Sequence, residues 1–166
     1  MLYMKEAIAY LQRYKVRRAV EVFEVPERGN YYIIPWLRFC GSVLTMPVKM
    51  MKMSETSDEL LFTTAVEWMK YCRRPTMEEI EDYLLVNDPT RGIFNQTEFK
   101  RVTGHGDGVL YKKTIPRATI DLKDTNNYSC SCFHRPTRSF KYFECNKDAT
   151  IEELASTLRT ALINSI

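Results

Sequence analysis

The sequence predicts an α+β fold, an antiparallel or mixed sheet with helices packed on one face, and three observations lead there. The chain closes with a short aromatic run, Phe140 to Cys145, a polar break at Asn146 to Ala149, and then Thr150-Ile151-Glu152-Glu153. That tetrad is a capping box, in which the threonine hydroxyl accepts from an early backbone N–H and Glu153 reaches back to the cap. Beyond it Ile151, Leu154, Ala155, Leu158, Ala161, Leu162 and Ile166 recur at three-and-four spacing, so the helix carries one apolar stripe that must lie on something. The same order occurs earlier, with a β-like Pro47 to Met53, a break at Ser54-Glu55, and a second box at Thr56-Ser57-Asp58-Glu59. Leu61, Ala65, Trp68, Met69 and Cys72 mark the apolar face that follows. The third observation is that Val109 to Phe143 is rich in strand signals and poor in helix signals. Two strand-helix units around a meander place helices on one face of a sheet and raise a duplicated unit. A box alone does not prove duplication, because Thr76-Met77-Glu78-Glu79 is a third with no strand before it.

Taken in order, Met4 to Arg18 predicts a helix with Ala7, Ile8, Leu11 and Tyr14 on one side. Arg13, Arg17 and Arg18 load its last turn, where cations oppose the helix dipole favourably. Ala19 to Val25 and Tyr31 to Trp36 read as a hairpin around the turn Pro26 to Asn30, with Pro35 marking an edge or a kink. After Gly41, Val43 to Met53 leads into the first capped helix, about Ser57 to Cys72, which Arg73-Arg74-Pro75 stops. Met77 to Val86 predicts a shorter helix with an acidic face, Asn87 to Gly92 a loop, and Asn95 to Glu98 the cap of a helix ending near Gly104. Gly104-His105-Gly106-Asp107-Gly108 reads as a flexible turn. Four short strands follow, Val109 to Lys113, Ala118 to Leu122, Tyr128 to Phe133 and Arg138 to Phe143.

A chain of 166 residues predicts a single domain, 1–166, that buries about 70% of the surface its unfolded form exposes. No apolar run approaches the ~20 residues of a membrane span, and the N-terminus lacks the order of a signal peptide. A soluble, cytoplasmic protein is therefore expected. Five cysteines, Cys40, Cys72, Cys130, Cys132 and Cys145, are an odd and scattered set, so reduced thiols are expected rather than a disulfide framework. A net charge of +3 is too small to call for nucleic acid by itself.

Three constellations invite chemistry. Cys130, Cys132 and His134 point to one face of a strand, with Cys145 on the next as a fourth soft ligand. Alternate strand residues stand about 7 Å apart, whereas zinc ligands converge to bonds of about 2.0 to 2.3 Å. No metal or other cofactor is therefore expected, and a zinc or thiol enzyme there is the less favoured alternative. Arg73, Arg74, Lys100, Arg101, Lys112, Lys113, Arg135 and Arg138, with Tyr111, Phe133 and Tyr142 near some of them, make a nucleic-acid surface a second alternative. Glu78, Glu79, Glu81, Asp82 and Asp88 are a solvated helix face or an acidic patch for a basic partner. No set of residues forms a recognisable catalytic motif, and a binding protein without enzymatic activity is expected.

The extended Tyr31-Tyr32-Ile33-Ile34-Pro35, the strand and capped Glu59-Leu60 helix, Phe99 in a short helix, the strands around Ile115-Pro116 and the closing Thr150-Ile151-Glu152-Glu153-Leu154 helix form one pattern. It resembles the immunity proteins of bacterial contact-dependent growth inhibition, in the branch carrying the strand and capped helix twice. The resemblance covers most of Tyr31 to Ile166 and rests on no catalytic motif. It implies a small cytosolic α+β protein that binds and neutralises the toxic C-terminal domain of a cell-surface effector, often a nuclease. It carries no site residues over. Such a protein is commonly acidic where it plugs a basic nuclease site, and this chain is slightly basic. Either the acidic residues Glu78, Glu79, Glu81, Asp82 and Asp88 do the plugging locally, or the toxin is of another kind.

Overall fold

The computed structural model describes residues 2–36, 38–39, 42–43, 47–80 and 96–166. Helix α1 spans Leu2–Arg13 and strands β1, β2, β3, β4 and β5 span Ala19–Val25, Asn30–Pro35, Arg38–Phe39, Ser42–Val43 and Lys49–Lys52. Helix α2 spans Asp58–Trp68, α3 spans Gln96–Thr103, β6, β7 and β8 span Arg117–Leu122, Tyr128–His134 and Ser139–Glu144, and α4 spans Ile151–Asn164. Residues 77–80 are also helical.

Six of the strands form one sheet in the order β5-β2-β1-β6-β7-β8, every neighbouring pair antiparallel. The order resolves into two halves of like construction. In the first, β1, β2 and β5 make a meander and lead into α2; in the second, β6, β7 and β8 do the same and lead into α4. The halves join where β1 pairs with β6, Glu21 lying opposite Thr119, and α2 packs beside α4. The duplicated unit is thus three strands and a helix rather than one strand and a helix.

The capping boxes locate the helix starts. Thr150 accepts from the Glu153 N–H at 3.2 Å and the Glu153 carboxylate accepts from the Thr150 N–H at 2.7 Å, the reciprocal pair expected. In the earlier unit the cap is Ser57, accepting from Leu60 N–H at 3.1 Å, and Thr56 donates instead to the Lys52 carbonyl at 2.6 Å. Buried Leu61, Phe62, Ala65 and Met69 of α2 and the following turn meet Ala155, Leu158, Ala161 and Leu162 of α4 over Val20, Val22, Ile33, Ile120 and Cys130. Ile151 and Ile166, at the two ends of the predicted stripe, are exposed.

A second, smaller core lies on the opposite face, where Phe23, Val25, Tyr32 and Ile34 meet Phe99, Val109, Leu110 and Ile115. Three expectations change here. The predicted strand at Val109 to Lys113 is a 3-10 turn, Asp107–Tyr111, because Val109 and Leu110 turn together onto β1 and β2 rather than alternating between two faces. The segment Gly104 to Gly108 is not a free turn. His105 Nδ1 faces the Gly106 carbonyl at 2.7 Å, so that nitrogen carries the proton, and Nε2 accepts from the Tyr32 hydroxyl at 2.7 Å. The first helix ends at Arg13 rather than Arg18, since residues 14–18 leave it to run toward the sheet. There the Arg18 carbonyl accepts from the Leu122 N–H, and the Arg17 guanidinium holds both oxygens of Asp121 at 2.7 and 2.6 Å.

No helix among the described residues is long and apolar enough to cross a membrane.

Candidate functional site

The outer hairpin of the second half, β7 and β8, is where the fold leaves large side chains unused. Side chains alternate between the two faces of a strand, and Cys130, Cys132 and Phe143 point into the first core. Phe133 and its cross-strand partner Phe140, and Tyr142 opposite Ser131, therefore stand on the other face. Phe140 is 62% exposed and Tyr142 64%. Phe133 meets Phe140 edge to face at 5.4 Å, and Phe140 and Tyr142 lie 6.4 Å apart with their planes tilted by 32°. The three rings form a short row, Phe140 and Tyr142 on the last strand and Phe133 beside Phe140 on β7, and the outer edge of β8 pairs with no other strand among the described residues.

Cations flank this row. Arg135, Arg138 and Lys113 form no ion pair among the described residues; Arg135 donates to the Lys112 carbonyl at 3.3 Å, which draws Lys112 and Lys113 toward the hairpin tip. Lys112 is neutralised by Glu27 at 2.9 Å. Arg117 lies with its guanidinium 6.0 Å from the Tyr111 ring centre.

The hairpin tip has a peculiarity of backbone. Three turns that join paired strands of the sheet each place one residue at positive φ: Gly29 at 65° between β1 and β2, Asn126 at 61° between β6 and β7, and Arg138 at 51° between β7 and β8. Glycine has no Cβ to clash there and asparagine tolerates the region, but arginine pays a steric penalty. The turn is held from within: His134 Nδ1 lies 2.8 Å from the Thr137 hydroxyl, which lies 2.8 Å from the Ser139 hydroxyl, and Arg138 N–H donates to the Arg135 carbonyl.

The cysteine and histidine cluster comes out differently. Cys130 and Cys132 are buried in the first core while His134, at the strand end, shapes the turn just described. Among the described residues no group of three or more His, Cys, Asp or Glu side chains is placed to hold a metal ion. A hydrogen bond with Cys145 and burial push the Cys130 thiol up, and the same hydrogen bond, with the Thr157 hydroxyl, draws Cys145 down. Cys72, Cys130, Cys132 and Cys145 are free thiols.

Of the five acidic residues expected to meet a partner, Glu81, Asp82 and Asp88 lie outside the described residues. Glu78 is exposed. Glu79 is engaged within the fold: it accepts from the Thr76 N–H at 2.8 Å, its own N–H donates to Thr76 Oγ1 at 3.2 Å, and Arg73 grips its carboxylate. The hydrogen bond from Arg73 holds the Glu79 carboxyl below its ordinary range. The third box is therefore a true cap.

Sequence reading missed the partly buried ionic network at the other face. Arg159 of α4 reaches Asp58 of α2 at 2.6 Å, the Tyr31 hydroxyl at 2.9 Å and Glu24 of β1. These partners lie 101 to 135 positions away in the chain, so no local pattern links them.

No protein-family model matches the chain, and no curated protein matches it in sequence.

Proposed function

We propose that this chain is a cytosolic immunity protein of the contact-dependent growth inhibition type, a protein without enzymatic activity that binds and neutralises the toxic C-terminal domain of an effector. One observation carries the reading: Phe140 and Tyr142, with Phe133 behind them, are large rings on a sheet edge that the fold does not use for its own core. Interface affinity concentrates in a few such aromatic and arginine anchors, with charge steering the encounter. The two meander-and-helix halves agree with the pattern on which the resemblance rests.

The test is genetic and biochemical. The product of the gene directly upstream, expressed as its C-terminal domain, is expected to arrest growth, to be silenced by co-expression of this chain, and to co-purify with it. A neighbouring toxin that this chain neither binds nor silences removes the reading. Charge reversal on the acidic helix is best done at Glu78, since Glu79→Lys would also break the cap and the Arg73 pair.

A further inference from the structure

We infer that the toxin docks on the β7–β8 hairpin, through Phe133, Phe140, Tyr142 and the cations Lys113, Arg135 and Arg138, and that its docking face is acidic around an apolar centre. This rests on the immunity reading and reverses the polarity expected of an acidic plug. Two independent observations converge on the same spot. The rings are a contiguous apolar row at the rim of a sheet, and a row of this kind flanked by polar groups is the usual form of a protein-binding site.

The second observation is the arginine at the turn. Where the equivalent turns of this sheet use Gly29 and Asn126, the tip beside the rings keeps Arg138 at φ 51°, a conformation that disfavours it. An arginine kept at this backbone position at a steric cost, with no carboxylate partner among the described residues, leaves a cation at the tip for a partner to neutralise. Arg135, whose guanidinium donates to the Lys112 carbonyl, and the neighbouring Lys113 add two further cations at the same end, neither in an ion pair among the described residues. Charge complementarity therefore selects a partner face bearing carboxylates, which bind arginine in a bidentate fork. The first half of the molecule offers a contrast, because its face beside β1 and β2 is already covered by this chain's own Phe99, Val109 and Leu110.

The experiment measures binding of the purified C-terminal toxin domain from the adjacent gene to wild type, Arg138→Gly, the pair Phe140→Ser with Tyr142→Ser, and Glu78→Lys, by calorimetry at two salt concentrations. Hydrogen exchange of residues 133–144 is followed with and without toxin. The expected result is at least tenfold weaker binding for the first two variants, little change for Glu78→Lys, weaker binding at high salt, and slowed exchange over 133–144. Arg138→Gly is expected to melt no lower than wild type, which separates lost contact from lost fold. Wild type that binds no toxin defeats the immunity reading itself. Wild type that binds while both hairpin variants bind equally well, or with Glu78→Lys as the damaging change, overturns the docking face and leaves the immunity reading standing. Salt-insensitive binding overturns the acidic partner. Wild type that captures a labelled single-stranded oligonucleotide, with Phe140→Ser abolishing capture, overturns it in favour of base stacking.

Discussion

Glu79 shows how one residue is used. Its carboxylate closes a capping box with Thr76 and receives the Arg73 guanidinium, and that hydrogen bond holds its pKa below the ordinary value. A carboxyl depressed in the folded state adds stability above its unfolded pKa, about 4.3, and loses it as pH falls through the lower folded value. Glu79→Gln is therefore expected to destabilise the protein by about 1 kcal/mol at neutral pH. The difference from wild type should shrink steadily below about pH 4. Denaturant titrations of both proteins from pH 3 to pH 7 check this; a difference that stays constant across the range would show that the pair with Arg73 contributes nothing. The sequence made Glu79 visible as part of a box and also as part of an acidic patch. Only the position of Arg73, six residues earlier, shows which role the carboxylate fills.

At the scale of the element, capping decides where each helix begins. The pattern S/T-x-x-E placed the cap of α4 at the right residue, Thr150, and the cap of α2 one residue early, because Thr56 and Ser57 are both competent. Geometry chooses Ser57, since the Thr56 hydroxyl is already donating to the Lys52 carbonyl in the preceding 3-10 turn. Ser57→Ala is expected to cost about 1 kcal/mol. Thr56→Ala should cost distinctly less, and thermal melts of the two variants side by side decide the matter; equal losses would return the cap to Thr56. The misread Val109 to Lys113 belongs to the same scale. A short apolar run has the composition of a strand whichever way it turns, and here it curls to put Val109 and Leu110 together under one face of the sheet.

The whole molecule is held across its halves by α2 against α4 and by Arg159, which ties α4 to α2, β1 and β2 through Asp58, Glu24 and Tyr31. Its pKa is raised by the hydrogen bonds it donates to Asp58 and, after the opposing effect of burial, by those to Glu24 and Tyr31. Removing one member of such a set leaves the others partly buried and uncompensated. Arg159→Met should lower unfolding stability by about 2 kcal/mol. The double change with Glu24→Gln should recover part of it, and urea unfolding of the single and double variants measures the coupling. Additive losses would mean that the network does not act as a unit.

The sequence by itself determined the α+β class, the β1–β2 hairpin, the second meander and the two capped amphipathic helices, because periodicity, caps and turn residues act over a few neighbouring positions. Only the tertiary structure decided that the two halves meet at Glu21 and Thr119, that Arg159 finds partners more than a hundred residues away, and that Phe140 and Tyr142 face outward beside Arg138. Those outcomes depend on which strand lies beside which and on what covers each face, and no local stretch of chain holds that information.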